Sequence, residues 1–240
     1  MFTVTFANPK GGTGKTTSCL VLAEQLHLDG LKVGLLDADP NQNLLAWCRN
    51  REEDGRSNPF AVAPQPAAEE VFDAIDAMQG RCEFLLVDLE GVADMRFANA
   101  TMASDLVVIP LQPSPMENRQ AARTTKMLRD SGRRARRDVA HAILLNQLNG
   151  FQTNEERILR DELAAHGTPV FGAGLMRREI FKTMFGEGLL LHEMRTELDD
   201  LPMSKRRQRE RTLDGALGNA RAYYEAFRTI IGAGAQEKAA

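Results

Sequence analysis

The chain has 240 residues, of which 43% are hydrophobic and 26% charged, with a net charge of −3 and a pI near 5.9. This supplies the core of one domain of ordinary to large size, and the charge excludes nucleic-acid binding through overall polarity; any such contact must come from a local patch. Cys19, Cys48 and Cys82, widely spaced and without a C-x-x-C pair, exclude a disulfide framework or cysteine zinc site, and no run of about 18 apolar residues offers a bilayer span. Reduced thiols and the lack of a basic-apolar leader predict a cytoplasmic protein with no membrane partner. One domain is expected over residues 1–240, with a frayed tail from 232 to 240.

In chain order, the apolar run Thr3 to Ala7 reads as a buried strand and is followed by a glycine-rich loop. A helix is then predicted over Thr16 to Asp29, stopped by Gly30 as a C′ glycine. Lys32 to Leu36 is the next strand and Asn41 to Glu53 the next helix, after which Asp54 to Pro66 reads as a surface connection around one short strand near Phe60 to Ala63. Ala67 to Gln79 (helix), Phe84 to Leu89 (strand), Val92 to Met102 (helix) and Leu106 to Leu111 (strand) follow. Ser114-Pro115-Met116-Glu117 has the form of a capping box with proline at N1, opening a helix to Ser131. A strand over Ala140 to Asn146 and a helix over Asn154 to His166 complete the alternation. Beyond Gly167 the pattern turns mostly helical, with a charged break predicted from Ser204 to Arg211. Continuous apolar strands alternating with helices predict an α/β fold: a doubly wound, mostly parallel sheet flanked by helices, with its ligand at the carboxyl ends of the strands.

The loop Asn8-Pro9-Lys10-Gly11-Gly12-Thr13-Gly14-Lys15-Thr16-Thr17 leaves the first strand and opens the first helix. Glycines at 11, 12 and 14 remove Cβ atoms, so successive amides can turn inward around phosphate oxygens while the helix aims its positive end at the same point. Lys15 is then placed for β- and γ-phosphates and the Thr16 hydroxyl for Mg²⁺, with Thr13 and Thr17 completing the cradle. The general pattern G-x-x-x-x-G-K-[ST] fails at its first glycine, which is Pro9, and a second lysine, Lys10, stands inside the loop. Asp37 and Asp39, two residues apart at the end of the second strand, share a face in extended chain and are expected to aim at the phosphates, holding Mg²⁺ waters and positioning an attacking water. Asp88, ending Phe84-Leu85-Leu86-Val87, is the third acid, and Asp88-Leu89-Glu90-Gly91 fits the D-x-x-G form in which a glycine amide senses the γ-phosphate.

With its second lysine, the string K-G-G-x-G-K-T-T resembles the deviant Walker A loop of the ParA and MinD ATPases. Ser104-Asp105-Leu106-Val107-Val108-Ile109-Pro110 followed by Gln112-Pro113-Ser114-Pro115 is similar to the strand and proline-rich turn of short, ParF-like plasmid partition ATPases. The resemblance implies a P-loop NTPase that binds ATP and ADP with Mg²⁺ and forms a homodimer in which Lys10 contacts phosphate across the interface. It implies base contacts from Pro113, Ser114, Pro115 and Met116 and an adenine-side role for Asn146. Asp88 is implied to face Mg²⁺ through water, Asp37 to support the metal and Asp39 to orient water; Glu90 departs from the small or apolar residue common there in the family. Lys10, Lys15, Asp37 and Asp39 are thus the expected catalytic set, and Thr16, Asp37 and Asp88 the metal set.

Two basic clusters remain. One runs from Arg119 through Arg123, Lys126 and Arg129 to Arg137; the denser second comprises Lys205, Arg206, Arg207, Arg209 and Arg211. Such charges suit duplex phosphates without reading sequence, and the second has no interleaved aromatics for stacking on single strands. The resemblance implies a nucleoid-associated DNA segregation ATPase that binds nonspecific double-stranded DNA and answers to a centromere-binding partner of the ParB or ParG type. A MinD-like positioning ATPase would need an amphipathic membrane helix, whereas the C-terminal Tyr223, Tyr224 and Phe227 read as a packed face. A nucleotide-dependent DNA-transfer adaptor with minor hydrolysis stays open beside it.

Overall fold

The structure is a computed structural model and describes residues 1–89, 95–198 and 202–237. Its elements are β1 (Phe2–Phe6), α1 (Lys15–Leu28), β2 (Val33–Ala38), α2 (Asn43–Glu53), β3 (Ala61–Ala63), α3 (Val71–Asp76), β4 (Phe84–Leu89), α4 (Met95–Met102), β5 (Leu106–Leu111), α5 (Pro115–Ala135), β6 (His141–Leu148), α6 (Asn154–Ala165), β7 (Leu175–Met176), α7 (Ile180–Gly186) and α8 (Met203–Glu237). Single 3₁₀ turns occupy Ala68–Glu70 and Glu193–Leu198.

The strands form one seven-stranded sheet in the order β3-β2-β4-β1-β5-β6-β7, and every pairing is parallel. Side-chain alternation in the central strands divides the core. Leu35, Leu86 and Val108 face α1, α2, α7 and α8, whereas Leu36, Leu85, Val87 and Val107 face α3 to α6. Register aligns the strand ends that matter: Phe6 lies opposite Asp88 and Asp88 opposite Asp37, so the loop after β1 and both acids emerge side by side.

Several expected boundaries move. The helix expected from Ala67 to Gln79 is a 3₁₀ turn leading into the short α3. The expected break from Ser204 to Arg211 is instead the start of the 35-residue α8, because Lys, Arg, Gln and Glu are strong helix formers and Arg206 pairs with Glu210 one turn on. The same helix runs on to Glu237 through most of the expected frayed tail, whose residues 238–240 lie outside the described chain. Ser114 takes the N-cap position with proline following, yet its side chain makes no capping hydrogen bond. The C-terminal aromatics pack as expected: Tyr223, Tyr224 and Phe227 are buried in the core shared with α1, and the Tyr224 hydroxyl donates to Asp29 at 2.8 Å. Among the described residues no helix is long and apolar enough to cross a membrane.

Candidate functional site

The loop between β1 and α1 is braced by side-chain amides from within it (Asn8), from just past β5 (Gln112) and from β6 (Asn146 and Gln147). Asn8, fully buried, donates to the Pro110 carbonyl at 2.6 Å and accepts from the Lys10 amide at 3.0 Å, pinning the loop's first residues to the end of β5. Gln112 and Gln147 both donate to the Gly12 carbonyl at 2.9 Å, and Asn146 donates to Thr13 O at 3.0 Å and to the Ser18 hydroxyl at 2.7 Å. Lys15, itself buried, folds back to the Lys10 carbonyl at 3.3 Å. With these carbonyls engaged by side chains, the orphan first-turn amides of α1 are left for the cavity. Gly12 (φ 75°) and Gly14 (φ 88°) adopt left-handed backbone, and a Cβ on Gly14 would meet Asn146 Nδ2 at 2.8 Å, so glycine is demanded there twice over.

The cradle borders a cavity of about 520 Å³ walled by the loop from Pro9 to Thr17 on one side and by Asp39, Asn41 and Asn43 on the other. A contiguous cavity of about 590 Å³ shares Gly14, Thr17 and Gln147 with it and continues between Asn146 and the segment Leu175 to Phe185. A phosphate end and a larger, partly apolar end therefore adjoin at Gly14. The base side was expected from the turn Pro113 to Met116. Among the described residues, Pro113 and Ser114 line neither cavity; the side chains of Pro115 and Met116 lie outside the described residues. Asn146 does reach the larger cavity, but its Nδ2 clamps the loop while its buried Oδ1 has no partner.

The three acids have different fates. Asp37 is fully buried and both its oxygens accept backbone amides, from Asp39 at 3.1 Å and Leu45 at 2.9 Å; burial foremost raises its pKa. It does not line the phosphate cavity, contrary to the shared face expected for Asp37 and Asp39, because β2 ends at Ala38 and the chain turns there. Asp39 does line it, with Oδ1 held by the amide and side chain of Asn41 at 2.8 and 2.9 Å. Asp88 is fully buried and, among the described residues, neither carboxylate oxygen has a hydrogen-bonding partner of good geometry, although the Thr16 hydroxyl lies near enough to favour its charged form. Burial, with the Asp37 charge adding, lifts its pKa to about 7.

An unpartnered buried carboxylate beside a threonine hydroxyl is a hard-oxygen donor set that suits Mg²⁺, which takes few protein ligands and keeps its waters. Among the described residues no cluster of three His, Cys, Asp or Glu side chains offers a preformed all-protein metal cage. Glu90 and Gly91, the rest of the expected γ-phosphate sensor, lie outside the described residues. Of the second basic cluster, Lys205, Arg207, Arg209 and Arg211 are exposed on the first turns of α8, and Arg206 is paired with Glu210. In the first cluster Arg137 is a structural tie, donating to the Ser104 carbonyl at 2.7 Å and to that of Met102.

A parallel sheet with this strand order, a glycine loop carrying Lys10 and Lys15, Asp39 on the cavity wall just past β2 and Asp88 buried at the end of β4 define a P-loop ATPase of the ParA/MinD class. Residues 1–232 match the family model described as VirC1 protein, and the chain belongs to that family. It is similar to Protein ParA of Rhizobium radiobacter, 27% identical over 195 residues that cover 81% of this chain and 86% of that one. Among solved structures, an McdA variant from Cyanothece in complex with ATP superposes with a TM-score of 0.71 at 15% identity, covering 97% of this chain and 96% of that one. A plasmid partition protein from Borrelia burgdorferi B31 bound to AMPPNP gives 0.62 at 17% identity, covering 89% and 97%.

Proposed function

We propose that this chain is a DNA partition ATPase: it binds ATP with Mg²⁺, pairs with a second copy around two nucleotides, coats nonspecific duplex DNA through Lys205, Arg206, Arg207, Arg209 and Arg211, and hydrolyses ATP when a centromere-binding partner of the ParB or ParG type stimulates it. Such a protein works on the nucleoid in the cytoplasm. The observation that carries the reading is the contrast between the two loop lysines, for Lys15 is buried within the cradle whereas Lys10 is exposed at its mouth. One cation serves the subunit's own phosphates; the other is offered outward, where a second subunit's triphosphate would meet it in a drying interface that strengthens the attraction.

The amides of Gly11, Gly12, Thr13 and Gly14 hold the phosphates, Lys15 neutralises the β- and γ-oxygens, and the Thr16 and Asp88 oxygens hold the metal side. Bound Mg²⁺ supplies charge neutralisation at those oxygens. Asp39 orients the attacking water. Asp37, with both oxygens occupied, acts by fixing the β2–α2 turn that presents Asp39. The larger cavity between Asn146 and Leu175 to Phe185 takes the base. Sedimentation velocity with ATP and Mg²⁺ tests the dimer. Lys10→Ala should still bind ATP yet stay monomeric, and a dimer as strong as wild type would overturn the role of Lys10.

A further inference from the structure

The wall of the phosphate cavity opposite the glycine loop is fastened at Asp39 from two sides. Its backbone carbonyl accepts from the Gln42 amide at 2.9 Å and from Gln65 Nε2 at 3.0 Å, and Gln42 Nε2 donates in turn to Gln65 Oε1. The three residues close a ring of hydrogen bonds at one oxygen. On the side chain, Asn41 holds Oδ1 with both its amide and its Nδ2, at 2.8 and 2.9 Å. Among the described residues nothing donates to Oδ2, so one oxygen of a carboxylate that lines the cavity is left uncommitted.

The ring is also stiffly mounted. Gln42 takes left-handed backbone (φ 52°) at the start of α2, a conformation that a residue with a Cβ rarely adopts and that persists where its surroundings over-determine it. The bond to Gln65 supplies that constraint. Gln65 comes from the edge of the sheet: Ala63 of β3 lies opposite Leu36 of β2, and two residues further on the chain reaches Asp39 just past the end of β2. It stands between Pro64 and Pro66, and a residue before proline is confined to extended backbone. Pro66 is buried, and Asn99 of α4 donates to the Ala68 carbonyl at 3.1 Å, which anchors the segment from its other end.

We infer that Asn41 and Gln65 are positioning residues for ATP hydrolysis: Asn41 fixes the carboxylate of Asp39 and Gln65 its backbone, so that Oδ2 meets the attacking water at one fixed place. This rests on the role of Asp39 proposed above. Gln65 does not itself line the cavity, so its loss should fall on turnover and spare nucleotide affinity. The test measures single-turnover ATP hydrolysis by the full chain with Mg²⁺, together with ADP affinity by calorimetry. Gln65→Ala should slow hydrolysis about tenfold, within the roughly 100-fold that a 1 Å misplacement can cost, with ADP affinity unchanged. Gln65→Glu keeps the acceptor for Gln42 but has no donor for the Asp39 carbonyl, and it should be slowed alike. Asn41→Ala should also slow hydrolysis. In Asp39→Ala, already slow, neither Gln65→Ala nor Asn41→Ala should cost anything more, because both residues act through Asp39.

Wild-type rates in Gln65→Ala and Asn41→Ala, with Asp39→Ala slow, would overturn the positioning roles and leave the reading of Asp39 standing. A wild-type rate in Asp39→Ala, or no hydrolysis by the wild-type protein, would overturn both. Equal losses on the wild-type and Asp39→Ala backgrounds, or ADP affinity in Gln65→Ala falling as far as the rate, would make these side chains braces of the fold and overturn the inference.

Discussion

Asp88→Asn should change how stability depends on pH in the nucleotide-free, metal-free protein. The carboxyl sits fully buried with both oxygens unpartnered, and its pKa rises from the ordinary 3.8 to about 7. A raised acid keeps its proton in the folded state over a range where the unfolded chain has lost it, so stability falls as pH rises from about 4 to 7 and levels off above. At about 1.4 kcal/mol per unit of separation, the wild-type protein loses about 2.5 kcal/mol from this group between pH 5 and pH 8. Asparagine keeps the shape and removes the titration. Burying an imperfectly paired amide adds a pH-independent cost of about 1–3 kcal/mol, so the comparison rests on the slope and not on the offset. Urea unfolding followed by circular dichroism in EDTA, at half-unit steps from pH 5 to 8, yields both curves. The wild-type-minus-variant difference should fall by about 2.5 kcal/mol as pH rises from 5 to 8. Parallel curves would mean that Asp88 is solvated or paired in the folded protein, and the argument that its orphan oxygens await a cation would fall with it. Mg²⁺ with nucleotide should stabilise wild type at pH 8 more than it stabilises Asp88→Asn, which keeps the loop amides and Lys15 but loses the metal-side carboxylate.

Asn146→Ala removes the donor that holds Thr13 O and the Ser18 hydroxyl, at 3.0 and 2.7 Å, and leaves both buried. A loss of about 1–3 kcal/mol in unfolding free energy is expected, with a weakened affinity for ADP measured by calorimetry; unchanged ADP affinity would make the clamp irrelevant to the cradle. His192 has its pKa raised, first by the hydrogen bond to the buried Glu24, so the folded protein holds that proton longer than the unfolded chain. Its contribution is full below pH 6.5 and fades as pH climbs through the folded value. Chemical denaturation midpoints of His192→Gln should therefore approach those of wild type as pH rises from 6 to 8, and a constant gap would refute the coupling.

The phosphate loop was legible because its chemistry is local: left-handed backbone at Gly12 and Gly14, a lysine and a helix start all fall within one short string. The sheet was legible for the same reason, through apolar runs punctuated by helices. The clamps were not. Asn8 meets Pro110 across 102 positions and Gln147 meets Gly12 across 135, and an amide in a strand-end turn has no spacing that announces such a partner. The wall of the larger cavity, Leu175 to Phe185, is not legible in the sequence, because a two-residue strand leaves no periodic trace in a mostly helical stretch. The charged start of α8 has the polarity of a break but the helix propensity of its Lys, Arg, Gln and Glu, and the propensity decides.

Asp37 and Asp88 show where such reading ends. Both are buried acids near strand ends, they lie opposite each other in register, and burial raises the pKa of each. What separates them is the backbone beyond the strand. The turn after Ala38 brings the amides of Asp39 and Leu45 onto Asp37, so that each of its oxygens accepts a backbone hydrogen bond. Among the described residues no amide reaches Asp88 with good geometry, so its desolvation is offset only in part by the Thr16 hydroxyl. On the proposed reading, a buried, unsatisfied carboxylate next to the glycine loop would gain stability when a cation arrives, which would link metal and nucleotide binding to the rigidity of the sheet end that carries Lys10 and Asp39.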